Sequence, residues 1–141
     1  LYPVGRLDFL TTGLLFITDN GPLGIDMLKP QQHVSKTYFV ETWEALEESD
    51  RAAFAAGLEF IGGVRTQPAQ LEILDAHHAK VTIQEGKYHQ VKKMFLALGK
   101  KVEQLQRVSF GPLVLDEGLQ PGAYRPLTQQ EILSLKTYMR K

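Results

Sequence analysis

Short apolar runs separated by turn-forming residues predict a set of strands along the chain. Residues 14–17 are all apolar, and the run is too short for a helix, so it predicts a strand. Residues 36–43 combine β-branched and aromatic side chains in a pattern typical of a second strand. Residues 64–74 and 80–84 predict a hairpin, and residues 102–115 predict one or two further strands.

Apolar residues at helical spacing, bounded by residues that start or stop helices, predict four helices. The first helix, 21–28, follows Asn20 and is stopped by Pro30, and the second, 50–56, is capped by Ser49 and ends at Gly57. The third, 91–98, ends at Gly99, and the last opens with the capping-box residues Thr128 and Glu131. The last helix carries Ile132, Leu135 and Met139 on one side.

Length and composition narrow the possible classes of protein. The chain has 141 residues and no cysteine, which predicts one domain over 1–141 and excludes disulfides, thiolate metal sites and cysteine nucleophiles. No apolar run approaches the roughly 18 residues that span a membrane. The four histidines show no metal-binding spacing. Because the sequence does not begin with methionine, we expect it to be part of a longer protein.

Charge is balanced overall but unevenly distributed. The formal net charge is zero, while residues 41–59 are rich in acids and residues 85–107 are rich in lysine and arginine. Local asymmetry of this kind can present a basic face to a polyanionic partner. It is also compatible with basic side chains that are simply solvated, so composition leaves both interpretations open.

Asp8 is the first candidate for chemistry, because it lies on a loop flanked by Gly5 and Gly13 beside a predicted strand. The two glycines allow close approach of backbone or ligand. Arg6 places a permanent cation two residues away, which would lower the pKa of the carboxyl group. An arginine at this spacing also forms many ordinary surface ion pairs with aspartate, so the spacing alone does not decide between the two readings.

Four segments in this order resemble the RsuA/RluB/RluE/RluF family of ribosomal-RNA pseudouridine synthases. They are Gly-Arg-Leu-Asp-x-x-Thr-x-Gly-Leu-Leu at 5–15, Lys-Thr-Tyr at 36–38, Glu-Gly-Lys-Tyr-His-Gln-Val-Lys-Lys-Met at 85–94, and Gln-Arg-Val-x-x-Gly-x-Leu at 106–113 followed by Pro-Gly-x-Tyr-Arg-x-Leu-Thr at 121–128. Together they cover nearly the whole chain. The pentapeptide at 88–92 is most similar to the small-subunit branch of the family.

The resemblance implies a fold and an activity. The fold would be α+β, with a mixed, mainly antiparallel sheet and flanking helices. The activity would be isomerisation of a specific uridine to pseudouridine in ribosomal RNA, of the 16S kind, without cofactor or metal. The implied setting is a cytoplasmic monomer acting on rRNA in a ribosomal assembly intermediate. The family's small N-terminal S4-like RNA-binding domain is absent from this sequence. The alternatives are a synthase acting on 23S rRNA and a noncatalytic RNA-binding module that retains the fold.

The resemblance also assigns three catalytic residues, Asp8, Tyr38 and Lys92. Asp8 would act as nucleophile or base on a uridine flipped out of its stack. Tyr38 would stack on the uracil, and its hydroxyl would help remove the C5 proton, although on pattern alone a half-buried strand tyrosine is the simpler reading. Lys92 would pair with Asp8 and keep it ionised.

Further residues are expected to contact RNA. Arg6 would fill the space vacated by the flipped nucleotide or orient that nucleotide. His89 and Gln90 would either touch RNA or brace the loop before the third helix. The complete expected RNA-binding set is Arg6, Lys36, Lys87, His89, Gln90, Lys93 and Arg107.

Overall fold

The computed structural model describes residues 1–29, 32–60, 62–87 and 89–138. Its strands are β1 (Tyr2–Pro3), β2 (Thr12–Gly13), β3 (Ile17–Thr18), β4 (Lys36–Thr42), β5 (Gln70–Asp75), β6 (His78–Ile83), β7 (Val102–Phe110) and β8 (Leu113–Val114). Its helices are α1 (Gly21–Leu28), α2 (Glu48–Ala56), α3 (Gln90–Ala97) and α4 (Gln129–Leu135), and a 3₁₀ turn, Lys136–Tyr138, follows the last of them.

One mixed sheet dominates the fold. Its strand order is β2-β7-β4-β6-β5, and β8 also pairs with β7. The β2–β7 pair is parallel, whereas the other pairs of this sheet are antiparallel. β1 and β3 form a separate antiparallel pair. The predicted α+β class with a mixed, mainly antiparallel sheet is therefore confirmed.

The apolar side chains form two clusters. The first lies between the sheet and helices α2 and α3, where the rings of Phe54 and Phe95 pack with centroids 4.9 Å apart. The second contains Val4, Phe16 and Phe110, with residues of α1 and α4. Residues of both clusters line the cavity described below, so the site lies where they meet.

The predicted strand at 14–17 is wrong. Two short strands, β2 and β3, lie on either side of Leu14–Phe16 and join different partners. Leu14 N–H donates to the backbone oxygen of Arg107 at 2.8 Å, and Phe16 oxygen accepts from Val4 N–H at 2.8 Å. The apolar run thus crosses from one sheet to the other, because each of its ends bonds to a distant segment.

The hairpin prediction is confirmed, with a shorter turn and shorter first strand than expected. β5 and β6 are antiparallel neighbours joined through Ala76 and His77. Pro68 in the predicted strand 64–74 favours an edge position, and β5 is the edge strand but begins only at Gln70. Before it, residues 64–69 contribute a single bridge between Glu59 and Arg65.

The helix predictions are confirmed in number and approximate bounds. Asn20 caps α1, its side chain accepting from Leu23 N–H at 3.0 Å. The predicted cap Ser49 is wrong, because α2 begins earlier: Glu47 is its N-cap, and Glu47 N–H donates to Asp50 at 2.8 Å. On α4, Leu135 is buried while Ile132 is 45% exposed. Pro30 and Met139 lie outside the described residues.

Glu131 joins the capping box of α4 to an ion pair. Its carboxylate accepts from Thr128 N–H at 2.7 Å and from two nitrogens of Arg125 at 2.8 and 2.9 Å. Arg125 also contacts Asp116. The hydrogen bonds from Arg125, followed by that from Thr128, lower the pKa of Glu131 from 4.5 to about 2.

Replacing Glu131 with glutamine is expected to lower the melting temperature near neutral pH by about 3 °C, a small effect because the pair is partly solvated. Native Glu131 binds fewer protons than the unfolded chain between pH 4.5 and about 2. Its contribution is therefore complete above pH 4.5 and is lost as the pH falls through 2. Thermal melts at several pH values should show the two proteins converging in this window, with Glu117→Gln as an exposed control. A difference that does not change with pH would contradict the assignment.

Candidate active site

Asp8 lies on a loop that is anchored at both ends. Before the loop, the buried Val4 bonds to Phe16, and after it Gly13 pairs with Arg107 on β7. Within the loop, Thr11 N–H donates to the backbone oxygen of Asp8 at 2.9 Å. The sequence folds this way because Gly13 lies so close to the Arg107 backbone that a Cβ would be 2.2 Å from its oxygen. The carboxylate is thereby fixed to the sheet through two residues of parallel pairing.

A cavity of about 420 Å³ opens beside this loop. Its wall is formed by the Asp8 loop, the neighbouring strands β4 and β7, and the segment that leads into α3. The charged and hydrogen-bonding side chains that line it include Arg6, Asp8, Lys36, Tyr38, Lys87 and Arg107. Such a concave site with converging polar groups is suited to binding a small ring or a single nucleotide.

The Asp8 carboxylate is accessible from the cavity and faces a histidine. Its side chain is 30% exposed, and its Oδ1 lies 3.7 Å from Nε2 of His89. His89 caps α3 in the left-handed conformation, with φ +51°.

Tyr38 stands on β4 directly opposite Arg107 on β7. Burial raises the pKa of the Tyr38 hydroxyl, the charge of Arg107 and a hydrogen bond from it act in the opposite direction, and the Asp8 charge adds to the increase. The hydroxyl therefore stays protonated at neutral pH. It is better suited to donating a hydrogen bond than to acting as a base.

Two further cations lie deep in the cavity. Lys36 Nζ is 5.8 Å from the centroid of the Phe110 ring, and Arg107 Cζ is 5.2 Å from the same centroid. Burial, followed by the charge of Arg107, lowers the pKa of Lys36. Arg107 is only 2% exposed, and its Nε donates to the oxygen of Leu14 at 2.8 Å. The cavity wall therefore combines the cations of Lys36 and Arg107 with the accessible carboxylate of Asp8.

The sequence profile described as RNA pseudouridylate synthase matches residues 1–97. The chain belongs to this family. It is 49% identical to ribosomal small subunit pseudouridine synthase A of Haemophilus influenzae over 136 residues, which are 96% of this chain and 59% of that protein. The Escherichia coli protein of the same name is 41% identical over the same shares of the two chains. The chain thus spans 59% of the length of these relatives.

Solved structures agree with this membership. A crystal structure titled as a pseudouridylate synthase superposes with a TM-score of 0.91 at 49% identity, over 94% of this chain and 58% of that one. A chain of an archaeal box H/ACA Nop10–Cbf5 complex superposes with a TM-score of 0.53 at 21% identity, over 84% of this chain and 41% of that one. The second likeness shows the fold alone.

In this member of the pseudouridylate synthase family, the cavity brings together most of the site residues expected from the sequence. Eight of the ten line it, namely Arg6, Asp8, Lys36, Tyr38, Lys87, His89, Gln90 and Arg107. Arg6 is exposed and does not form the expected ion pair with Asp8 in the described part of the chain. The basic side chain that lies next to Asp8 is instead that of His89, which is distant in the sequence and is brought there by the fold.

Gln90 braces the loop that leads into α3. Its side chain is buried; its oxygen accepts from Lys87 N–H at 3.0 Å, and its Nε2 donates to Glu85 at 2.9 Å. Glu85 in turn accepts from Gln67 N–H at 2.8 Å and lies 3.3 Å from Lys87 Nζ. These contacts support the bracing interpretation of Gln90, and contact between Gln90 and RNA stays a prediction.

Lys92 and Lys93 do not line the cavity. The expected ion pair between Lys92 and Asp8 is wrong for residues 1–29 and 89–138 as the structure describes them. Each helical residue turns by about 100°, and α3 buries Val91 while the neighbouring Lys92 stays partly exposed. Lys93 lies with its Nζ 5.9 Å from the centroid of Phe60. Catalytic participation of Lys92 stays a prediction.

The basic segment 85–107 does not form one continuous face. Lys100 is largely buried, donates to the oxygen of Ala45 at 2.7 Å and lies 3.7 Å from Asp50. Arg107 is inside the cavity. Folding thus sends neighbouring cations to different surfaces, and the acidic segment neutralises part of the basic one.

Thr11 and Phe110 line the cavity but were not singled out by sequence reasoning. Thr11 is the threonine of the Gly-Arg-Leu-Asp-x-x-Thr pattern, so a signal for it was present. Phe110 gave no separate signal, because an aromatic residue at the end of a strand is ordinary in a core. Its role became visible only from the two cations that pack against its ring.

The described residues contain no group of three histidine, aspartate or glutamate side chains close enough to hold a metal ion. None of the helices in the same residues is both long and apolar enough to cross a membrane.

Proposed function

We propose that the protein converts a specific uridine of 16S ribosomal RNA to pseudouridine, with Asp8 as the carboxylate that acts on the target nucleotide. The observation that carries the proposal is the accessible Asp8 carboxylate at the edge of a cavity that also contains Tyr38 and buried cations. Family membership and the names of the small-subunit relatives support the reaction and the RNA.

The geometry supports action on one extruded nucleotide. A base in folded RNA must leave its stack before its C1′–N1 bond can be reached. The cavity offers Tyr38 as an aromatic surface for the uracil, with Asp8 beside it. Arg6 and Lys87 are more exposed, and we infer that they contact the neighbouring phosphates. Bond cleavage and re-formation need a nucleophile or base and no redox step, so the reaction requires no cofactor.

The protein is expected to act as a cytoplasmic monomer on rRNA in a ribosomal assembly intermediate. Its basic residues do not form one continuous face, which favours binding to an RNA site of particular shape over tight binding to duplexes in general. Recognition of the particular uridine then depends on RNA shape around the cavity.

The proposal is tested by mapping pseudouridines in 16S and 23S rRNA from cells with and without the full-length gene. Carbodiimide adducts read as reverse-transcription stops should reveal one 16S pseudouridine that disappears on deletion and returns on complementation. Loss of a 23S site instead would contradict the small-subunit assignment. Unchanged profiles of both RNAs would contradict the activity on rRNA and favour a noncatalytic RNA-binding module.

A further inference from the structure

Two buried polar atoms in the cavity lack a hydrogen-bond partner. Among the described residues, the buried side-chain nitrogen and oxygen atoms without a partner are Arg107 Nη2 and Thr11 Oγ1. Both residues line the same cavity. A buried donor left unpaired destabilises the folded protein, and more so when it is charged. Because both atoms belong to the wall of one cavity, a polar ligand bound there could form hydrogen bonds with both.

The positive charges of Lys36 and Arg107 in the cavity wall are also not neutralised by a carboxylate. Lys36 and Arg107 pack against one ring, that of Phe110, and neither forms an ion pair with a carboxylate in the described part of the chain. Glu85 is already bonded to Lys87 and Gln90. Two like charges, one buried and one partly buried, are unfavourable close together without an anion. The cavity is therefore prepared for negative charge on whatever enters it.

The proposed reaction generates such charge, and the inference rests on that function. When the C1′–N1 bond breaks, its electron pair stays with the uracil and is delocalised onto N1, O2 and O4. Attack of a carboxylate on C6 would likewise move electrons onto O4, and in this route the new C6–O bond breaks again, releasing the carboxylate, after C5 has bonded to C1′. The charge disappears when C5 bonds to C1′, the C5 proton leaves and N1 is protonated. Donors that face these oxygens would lower the barrier of either route.

We propose that Arg107 is a catalytic residue that donates, through Nη2, to the uracil carbonyl oxygen that gains charge, with Lys36 as the second cation and Thr11 bonded to the same edge of the base. A phosphate is the less suitable ligand, because Arg107 is only 2% exposed and lies within the sheet opposite Tyr38. Arginine is a donor only. It can therefore donate to a uracil carbonyl oxygen, but it cannot pair with the amino group that cytosine carries in place of O4.

The test uses the full-length protein and an RNA containing the mapped uridine labelled with tritium at C5. Tritium release under single-turnover conditions gives the rate at saturation, and filter binding at several salt concentrations gives Kd. Arg107→Gln is expected to lower the saturating rate about 100-fold, as loss of an oxyanion donor does, while Kd changes less than about threefold. Arg107→Lys should lose less, because it retains the charge.

Arg65→Gln is the matched control, because this arginine is exposed outside the cavity and bonds to Ala56. Thermal melts check folding of each variant. If Arg107→Gln does not fold, Lys36→Met decides, with an expected loss of about tenfold in rate and little change in Kd. An unchanged rate in the folded variant would overturn the proposal. So would an effect confined to Kd with a shallower salt slope, which would assign the cations to a phosphate.

Substrates with 2-thio- or 4-thiouridine at the target identify the oxygen, because sulfur accepts hydrogen bonds more weakly. Each thio-substituted RNA is tested with the wild-type protein and with Arg107→Gln. The four rates form a double-mutant cycle, in which the intrinsic effect of sulfur on the reaction cancels. Coupling at one position supports the proposal, and additive losses at both positions overturn it. A wild-type protein inactive on every rRNA would instead refute the underlying function, so the two failures are distinguishable.

Discussion

An Asp8→Asn variant is expected to lose pseudouridine formation by a factor on the order of 10⁴ or more, the size of effect seen when a nucleophile or general base is removed. Asparagine has nearly the same shape and cannot act as either group. The loop should survive the change, because it is held by the backbone bonds of Thr11, Leu14 and Val4 rather than by the carboxylate. Single-turnover tritium release measures the loss.

Asp19→Asn is the matched control for this variant, since Asp19 is an exposed carboxylate on the same segment of chain. It should retain the wild-type rate. Circular dichroism and thermal melts should show both variants folded. An Asp8→Asn protein that is folded and keeps more than about a hundredth of the activity would refute the role of Asp8, since even a modest acid–base contribution exceeds that factor.

A Gly13→Ala variant is expected to lose about 3 kcal/mol or more of the free energy of unfolding. The added Cβ would lie 2.2 Å from the oxygen and 2.6 Å from the nitrogen of Arg107, and Gly13 has φ +112°. These neighbours are backbone atoms of the central sheet and cannot move aside without breaking strand pairs. Urea unfolding measured by circular dichroism would give the change.

Gly62→Ala separates the two causes. Gly62 has a similar φ of +99°, but nothing lies within 4 Å of its added Cβ. This control should therefore show only the cost of a left-handed backbone, about 1 kcal/mol. Equal losses at the two glycines would contradict the contact with Arg107. A folded Gly13→Ala protein should also lose activity, because the Asp8 loop would separate from β7.

Elements defined by nearby residues could be predicted from the sequence. The capping box of Thr128 and Glu131 forms as expected, since its two partners are three residues apart. Asn20 likewise caps α1 as its position indicates. Glu47 rather than Ser49 caps α2, because two acceptors lie within one turn and the local pattern does not rank them.

Features that depend on distant partners were not predictable. Leu14–Phe16 has the composition of a strand, yet its bonds go to Val4 and Arg107, which no local pattern reveals. Lys92 follows the family pattern but does not line the cavity, because the packing of α3 decides which of its side chains reach it. The burial of Arg107 was not predictable either, because it results from the pairing of distant strands in the folded sheet.

The parallel pairing of β2 with β7 also affects the order in which the molecule assembles. The bond between Arg107 and Leu14 spans 93 positions of the chain, whereas β5 and β6 meet across a two-residue turn. Closing a long loop lowers the conformational entropy of the chain before the contacts that offset this loss can form. On a translating ribosome, Asp8 emerges before this segment and cannot be fixed to the sheet until β7 has been synthesised. The Asp8 carboxylate therefore meets the other residues of the cavity late, and a chain that ends before β7 contains Asp8 without the complete site.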